Sequence, residues 1–373
     1  MADSVWFWQR IVSTHMAGVA EALAVQGRPV TFVAEQSMST ERAAQGWQAP
    51  ALRQARLNLT PNADSVKKLV TEVPANSIHI CQGLRGNGLI NVARNELARR
   101  GLRQWVIMET VEDCGWRGML RRLEYRRLVR RWHNEIEGIL AIGHATQDWL
   151  TERGMPTERI FPFAYFLPDT SLTRVTRFDA EAPFRFLFVG RLVELKRADL
   201  LFDALAGLAD RSFELVMVGA GPLEEKLRAV AQEKLPGRVY WLGGQPAEKI
   251  PLLMAEADCL VLPSRYDGWG AVVSEALMAG TPAVCSDACG SATAVRASGY
   301  GGIFSAGDLQ ALHKLLVEAL DKGRQTPDER VRLAAWAGCL GATTGASYLD
   351  AILRDRDKRK ITPPWKLARE DRH

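Results

Sequence analysis

The sequence predicts an α/β protein made of two Rossmann-like, doubly wound domains, and three observations predict it. The chain has 373 residues, more than one hydrophobic core usually supports, and roughly 150 residues per domain makes two. From Phe184 onward, short apolar runs alternate with segments of helical apolar spacing. The first half keeps the same rhythm less cleanly. Strands that alternate with helices pair in parallel through right-handed crossovers, and such sheets take ligands at the carboxyl ends of their strands.

In the first half, apolar runs place strands at residues 5–7, 30–33, 78–80, 105–107 and 139–142, with helices in the gaps. Residues 162–183, which include Pro168-Asp169-Thr170 and show little periodicity, read as the linker. In the second half Phe184-Arg185-Phe186-Leu187-Phe188-Val189 is a buried strand, and residues 197–208 are a helix. The unit then recurs: strand 213–218, Gly219-Ala220-Gly221-Pro222 and a helix to about 233; strand 239–242 and a helix over 246–257; strand 258–262 and a helix over 270–279; strand 282–286 and a glycine-rich loop. The division is therefore 1–170, 171–340, and a C-terminal helix and basic tail, 341–373, able to cross back to the first domain.

An apolar share of 47% against 24% charged is enough to build cores without disulfides or metals. The six cysteines fit that reading, because none forms a CxxC pair and no histidine cluster stands at metal-ligand spacing. No metal site is expected. Met1-Ala2-Asp3-Ser4 lacks the charged and apolar regions of a signal peptide, and no run of about 18 apolar residues occurs, so the expectation is a cytoplasmic protein. The net charge of +5 favours anionic partners without naming them.

Two segments carry chemistry. Ser264-Arg265-Tyr266-Asp267-Gly268-Trp269-Gly270 leads into a helix holding Glu275, so one carboxylate sits in a glycine-rich loop and a second lies about one turn into the helix. Gly268 and Gly270 would let backbone N–H groups approach an oxygen-rich ligand, the helix start would face a diphosphate, and Glu275 would accept from ribose hydroxyls. An acid complementing the helix dipole beside an exposed glutamate would look the same. In Gly190-Arg191-Leu192-Val193-Glu194-Leu195-Lys196, a strand end holds two cations where the next helix begins. Such cations neutralise charge on a departing phosphate. The alternative is local pairing with Glu194 and Asp199 on a solvated surface.

Together these motifs resemble the retaining glycosyltransferases of family 4, also called group 1, over roughly residues 184–320. The pieces are Phe188-Val189-Gly190-Arg191 with Lys196, Val218-Gly219-Ala220-Gly221-Pro222, Trp241-Leu242-Gly243, the 263–280 segment, Pro282-Ala283-Val284, and Gly301-Gly302-Ile303-Phe304 before Gly307-Asp308. The resemblance implies the GT-B fold, two Rossmann-like domains facing across a cleft. The first would bind the acceptor and the second a UDP- or GDP-sugar donor, used as substrate with no further cofactor and no metal. It implies Arg191 and Lys196 on the diphosphate, Glu275 on the ribose, and a base near Gly243 to Pro246, including Gln245. Asp267 and the Gly268-Trp269-Gly270 backbone would meet the sugar.

The sequence departs from the family in places. Asp267 stands where a glutamate is usual, shortening the reach by one methylene. The first loop reads Ser13-Thr14-His15-Met16-Ala17-Gly18 in place of a glycine pair, leaving His15 and Gly18 as acceptor-side candidates. After the strand at 105–107, Met108-Glu109-Thr110 offers Glu109 where a histidine is usual, unless Glu109, Glu112 and Asp113 are only an acidic loop. Phe163-Ala164-Tyr165 replaces an Asn-Gly turn. His79, inside a strand, reads as a core histidine, and Asp355-Arg356-Asp357 reads as solvated helix instead of a metal motif.

Residues 116–132 hold seven arginines and one glutamate. Their apolar residues form two groups, Trp116, Met119, Leu120, Leu123 and then Tyr125, Leu128, Val129, Trp132, continuing to Ile136, so the apolar stripe changes side midway. One group fits a core and the other an anionic membrane surface met through 116–136, which would suit a lipid-pyrophosphate-linked acceptor at the inner face of a bacterial membrane. A solvated helix with locally paired arginines is the alternative. The resemblance thus implies a metal-independent hexosyltransferase acting on a saccharide or lipid-linked saccharide in surface polysaccharide synthesis. Its rivals are a non-hydrolysing nucleotide-sugar epimerase and, from another class, a basic nucleic-acid-binding protein. The second is disfavoured because no aromatic-and-basic module accompanies the arginines, and NAD chemistry is disfavoured because Gly219-Ala220-Gly221-Pro222 lacks a third glycine.

Overall fold

The structure is a computed structural model that describes residues 3–38, 49–113, 115–169, 182–354 and 361–370. Asp355-Arg356-Asp357, the basic cluster that follows it, Cys114 and most of the expected linker lie outside the described residues. The chain divides into two compact units, Met1–Asp169 with Leu340–Pro364, and Thr170–Cys339 with Trp365–His373.

In the first unit β1 (Val5–Ile11), α1 (Thr14–Val25), β2 (Val30–Gln36), β3 (Arg56–Leu59), α2 (Ala63–Glu72), β4 (Ile78–Gln82), α3 (Leu89–Arg99), β5 (Arg103–Glu109), α4 (Gly115–Trp132), β6 (Ile136–Ile142), α5 (Thr146–Thr151) and β7 (Ile160–Phe163) follow in order. The strands form one sheet, β3-β2-β1-β4-β5-β6-β7, with parallel pairing throughout. In the second, β8 (Phe184–Val189), α6 (Ala198–Ala206), β9 (Phe213–Val218), α7 (Glu224–Lys234), β10 (Val239–Gly243), α8 (Ile250–Glu256), β11 (Cys259–Leu262), α9 (Ala271–Met278), β12 (Ala283–Ser286), α10 (Ala292–Ser298), β13 (Gly301–Phe304), α11 (Leu309–Lys322) and α12 (Pro327–Ala337) build a second parallel sheet, β10-β9-β8-β11-β12-β13. The chain ends with α13 (Ala342–Arg354), in the first unit, and α14 (Pro364–Glu370).

Burial explains the parallel pairing. All six residues of β9, Phe-Glu-Leu-Val-Met-Val, are buried, as a strand covered by helices on both faces must be. Phe186, Phe188, Leu201, Phe202, Leu205, Leu215 and Met217 close the core between β8, β9 and α6. In both sheets the strand order reverses beside the first strand, between β1 and β4 and between β8 and β11. At such a switch point the flanking loops turn opposite ways and leave an opening.

The structure differs from the sequence reading at three strands, one of them β13, whose Gly301-Gly302-Ile303-Phe304 is too short and glycine-rich to show as an apolar run. β3 was not expected; it is a four-residue edge strand whose Leu57 and Leu59 are exposed, so no apolar run marks it. Residues 162–163 belong to β7 and not to a linker. Pro162 breaks the pattern but not the strand, because β7 is the edge of its sheet, where a missing N–H costs little. The chain then continues through buried Phe166, and Leu167 exchanges backbone bonds with Leu340 and Ala342 (3.0 and 2.7 Å).

The described cysteines, Cys81, Cys259, Cys285, Cys289 and Cys339, are free thiols in the interior. Among the described residues no helix is long and apolar enough to cross a membrane, and no three His, Cys, Asp or Glu side chains gather as a metal cluster.

Candidate functional site

The switch point of the second sheet brings the two chemistry-bearing loops together. The loop after β8 folds into a 3-10 turn, Glu194–Lys196, which Arg197 closes in the left-handed region at φ 53°. Arg197 then bonds both oxygens of Asp199 at 3.1 Å. Asp199 is thus engaged within the turn, and Lys196 points elsewhere: its Nζ meets Oδ2 of Asp267, on the loop after β11. The two loops are also joined by Arg265 N–H donating to Leu195 O at 2.8 Å. Lys196 and Asp267 keep side-chain exposures of 21% and 18%, enough to be reached from solvent. Arg191 lies exposed on the same loop as Lys196.

Backbone fixes this edge. Asp267 N–H donates to Ala288 O (3.1 Å), Gly290 N–H to Asp267 O (3.0 Å) and Ser291 N–H to Trp269 O (2.7 Å), so the loop after β12 anchors the Asp267 loop. The loop after β12, expected to be glycine-rich, holds a single glycine, Gly290, so little in the sequence signals this support. On the other side, Gly190 N–H donates to Val218 O (2.9 Å), Leu192 N–H to Ala220 O (3.0 Å) and Gly219 N–H to Gly243 O (2.8 Å). Gly219 sits at φ 132°, and a Cβ there would stand 1.9 Å from Gly190 O; one on Gly221 would stand 2.4 Å from Leu192 O. The Gly-Ala-Gly run therefore exists so that two strand-end loops can pack backbone against backbone.

The helix start and its carboxylate complete the edge. Gly270 occupies the N-cap of α9 at φ 81°, and a Cβ there would meet Leu262 Cδ2 at 2.9 Å, so the protein itself requires this glycine. Glu275 is half-buried on α9, and burial pushes its carboxyl up from 4.5 to about 7. A carboxyl held at that value is readily deprotonated once hydroxyl donors reach it. Gly190 differs from Gly219, Gly221 and Gly270: a Cβ on it would touch nothing closer than 3.7 Å, its neighbours being Phe188 and Lys196. Gly243, at φ 65°, ends β10, and Gln245 turns its amide back to Leu242 O at 2.6 Å.

The sequence reading offers the donor the Trp269 backbone; the residue is 1% exposed and its indole N–H donates to Ser274 Oγ at 3.1 Å, so the side chain fills the interior beneath the loop. Gly18, an acceptor-side candidate, lies in α1, where a Cβ would stand 3.5 Å from Ala342 Cβ of α13. Gly268 is buried in its loop.

In the first unit His15, on the first turn of α1, stacks on Tyr165 with centroids 4.9 Å apart and 22° between planes. Tyr165 thus gives the unusual Phe163-Ala164-Tyr165 a structural partner. Glu109 ends β5, opposite Ile142 of β6. Asp113 is structural: its carboxylate accepts from Trp149 Nε1 (3.0 Å) and from the buried Arg153 guanidinium. His79 is a core residue, as expected of a strand histidine. Its Nδ1 accepts from Trp8 Nε1 (3.0 Å), which leaves Nε2–H for Ser77 Oγ (2.8 Å), and burial pushes it down to about 3.

The sequence comparison bears on this edge directly. Residues 174–335 match the family of glycosyl transferases group 1. The group 1 segment contains every donor-side residue named above, from Gly190 to Glu275. Granule-bound starch synthase 1 of Pisum sativum is 36% identical over 167 residues, covering 44% of this chain and 26% of that protein. The amylovoran biosynthesis glycosyltransferase AmsK of Erwinia amylovora is 29% identical over 203 residues, covering 52% and 50%. The chain therefore spans at most half the length of these curated relatives. A solved structure of Anabaena Alr3699/HepE in complex with UDP superposes with a TM-score of 0.73 at 16% identity, covering 94% of this chain and 99% of the other. That likeness is one of fold, the pair of parallel-sheet Rossmann-like units of the GT-B glycosyltransferases.

Proposed function

We propose that the protein is a retaining hexosyltransferase of family 4. It moves a hexose from a UDP- or GDP-sugar to a hydroxyl of a saccharide or lipid-linked saccharide, on the cytoplasmic side of a bacterial membrane and in surface polysaccharide synthesis. The observation that carries the reading is the contact between Lys196 and Asp267 at the switch point of the second sheet. In the absence of donor the two charges neutralise each other. An arriving diphosphate competes for the ammonium, and the released carboxylate is then available to sugar hydroxyls beside it. One ion pair becomes two donor contacts, with Lys196 and Arg191 on the phosphates and Asp267 on the sugar. Glu275 receives the ribose hydroxyls, and the strand end at Gly243 and Gln245 faces the base.

As the glycosidic bond breaks, negative charge grows on the departing diphosphate, and two fixed cations stabilise that state more than the ground state. With both cations supplied by the chain, transfer proceeds without a metal ion. The leaving phosphate takes the acceptor proton on the same face, which preserves the anomeric configuration. Glu109 is assigned to a sugar hydroxyl or to the oxocarbenium-like charge, and His15 to the acceptor side. The group 1 match and the names of the relatives support sugar transfer, and the UDP complex of the similar fold supports a nucleotide donor.

The test is product formation from UDP- and GDP-hexoses with oligosaccharide acceptors and chelator present, the product's anomeric coupling being read by NMR. A product with the donor's configuration, lost in Lys196→Ala and Asp267→Asn, is expected. An inverted product, or sugar isomerisation without acceptor, contradicts the reading.

A further inference from the structure

We infer that the outer face of α4 docks on an anionic phospholipid bilayer. Large apolar side chains exposed singly are ordinary on a protein surface, whereas a contiguous exposed set marks an interaction site. Trp116, Met119, Leu120 and Leu123 are 69%, 54%, 55% and 45% exposed, and all four lie on the first half of one helix. At about 100° per residue they share a sector about 100° wide. Gly118, Tyr125, Val129 and Trp132, the residues α4 buries, lie on the opposite side. The stripe that changes side along the sequence is thus two stripes, one for the core and one for an outside partner.

Charge selects that partner. Arg126, Arg127, Arg130 and Arg131 are exposed on the last two turns and continue the outward face, while Arg117 lies over the Trp116 ring at 5.2 Å. The single carboxylate of the helix, Glu124, is bound to Arg85 at 2.5 Å and does not offset them. Apolar side chains beside a basic band match the acyl boundary and headgroup layer of an anionic leaflet. A duplex nucleic acid would leave the four apolar side chains in water, and a purely apolar partner would strand the arginines.

The face is preset. Gly118 lets the loop after β5 pass close to the helix, since a Cβ there would overlap Asp113 O, and Arg121 and Arg122 bond the carbonyls of Glu112 and Asp113. Arg153 and Trp149 hold Asp113 in turn. The inference does not rest on the sugar-transfer reading, because docking needs neither donor nor acceptor. It does place the loop after Glu109 next to the lipid surface, where a lipid-linked acceptor would be met.

The test is co-sedimentation of the full chain with phosphatidylglycerol-rich vesicles and with phosphatidylcholine vesicles, at low and high salt, alongside a duplex RNA. Binding to the anionic vesicles that weakens with salt is expected, falling about tenfold or more in Leu120→Glu/Leu123→Glu and about fivefold per arginine in Arg126→Glu and Arg130→Glu. All these positions are exposed, so circular dichroism and thermal melts should match the parent. Failure to bind vesicles overturns the inference, as does RNA binding in its place. So does vesicle binding that the double leucine variant retains, or a self-association that depends on Leu120 without any lipid binding.

Discussion

The two sheets share one strand order, yet glycines and side chains contribute differently to holding their carboxyl edges. In the second unit the loops after β8, β9, β11 and β12 bond one another through backbone, and Gly219, Gly221 and Gly270 sit where a side chain would collide. The first unit has such backbone bonds too, Val12 N–H to Ser37 O (3.2 Å) and Gly143 N–H to Phe163 O (3.3 Å), and adds long-range side-chain anchors. Glu35 on β2 accepts from Leu89 N–H at 2.7 Å and caps α3, Gln82 accepts from Arg10 N–H at 3.2 Å, and Asp113 holds Arg153 and Trp149. Backbone packing as close as that at Gly219 and Gly221 admits only glycine and so writes a motif into the sequence. Side-chain anchoring can be met by many residue pairs at long separation and writes none.

The sharpest way to break this comparison is to add one methyl group on each side of it. Gly219→Ala places a Cβ in contact with Gly190 O at a backbone angle alanine avoids and should cost about 3 kcal/mol or more, about 10 °C in the melting temperature of a unit this size. Gly83, at φ 72°, has open space around its missing side chain. Gly83→Ala should cost about 1 kcal/mol, the left-handed penalty alone. Equal losses from the two, read by thermal melts, would mean that steric closure does not distinguish the edges.

A smaller effect, with a pH signature, comes from Glu275. Its folded-state pKa lies above the ordinary carboxylate value, so the folded protein holds a proton that the unfolded chain releases between pH 4.5 and about 7. Stability is lost as pH rises through that window and the full penalty, about 3 kcal/mol at most, stands above pH 7. Glu275→Gln removes the penalty. It should melt higher than the parent by at most about 10 °C at pH 8 and equally at pH 4.5, while binding nucleotide less well. An unchanged difference across pH would contradict the burial of this carboxyl.

The same contrast explains what the sequence made legible. Strands β8 and β9 were readable residue for residue, because buried parallel strands are continuous apolar runs. The place of Lys196, Asp267 and Glu275 beyond the ends of β8 and β11 was readable because apolar strand runs and loop glycines precede them. That the Trp269 side chain is the plug beneath its loop was not legible, since an aromatic beside two loop glycines can face either way. The stacking of His15 on Tyr165, 150 residues apart in sequence, had no local signal at all.

The most direct test of the account is nucleotide-induced thermal stabilisation across UDP, GDP, ADP and their sugar conjugates, in the parent and in Arg191→Ala, Lys196→Ala and Gly190→Ala. Gly190 tolerates a methyl group by space alone, so that variant should melt as the parent does. The account predicts that one nucleotide raises the parent's melting temperature, since binding to the native state stabilises by mass action, and that all three variants lose most of the rise. Stabilisation that survives in Lys196→Ala and Gly190→Ala, or none by any nucleotide in the parent, would contradict a donor site at the β8 and β11 switch point.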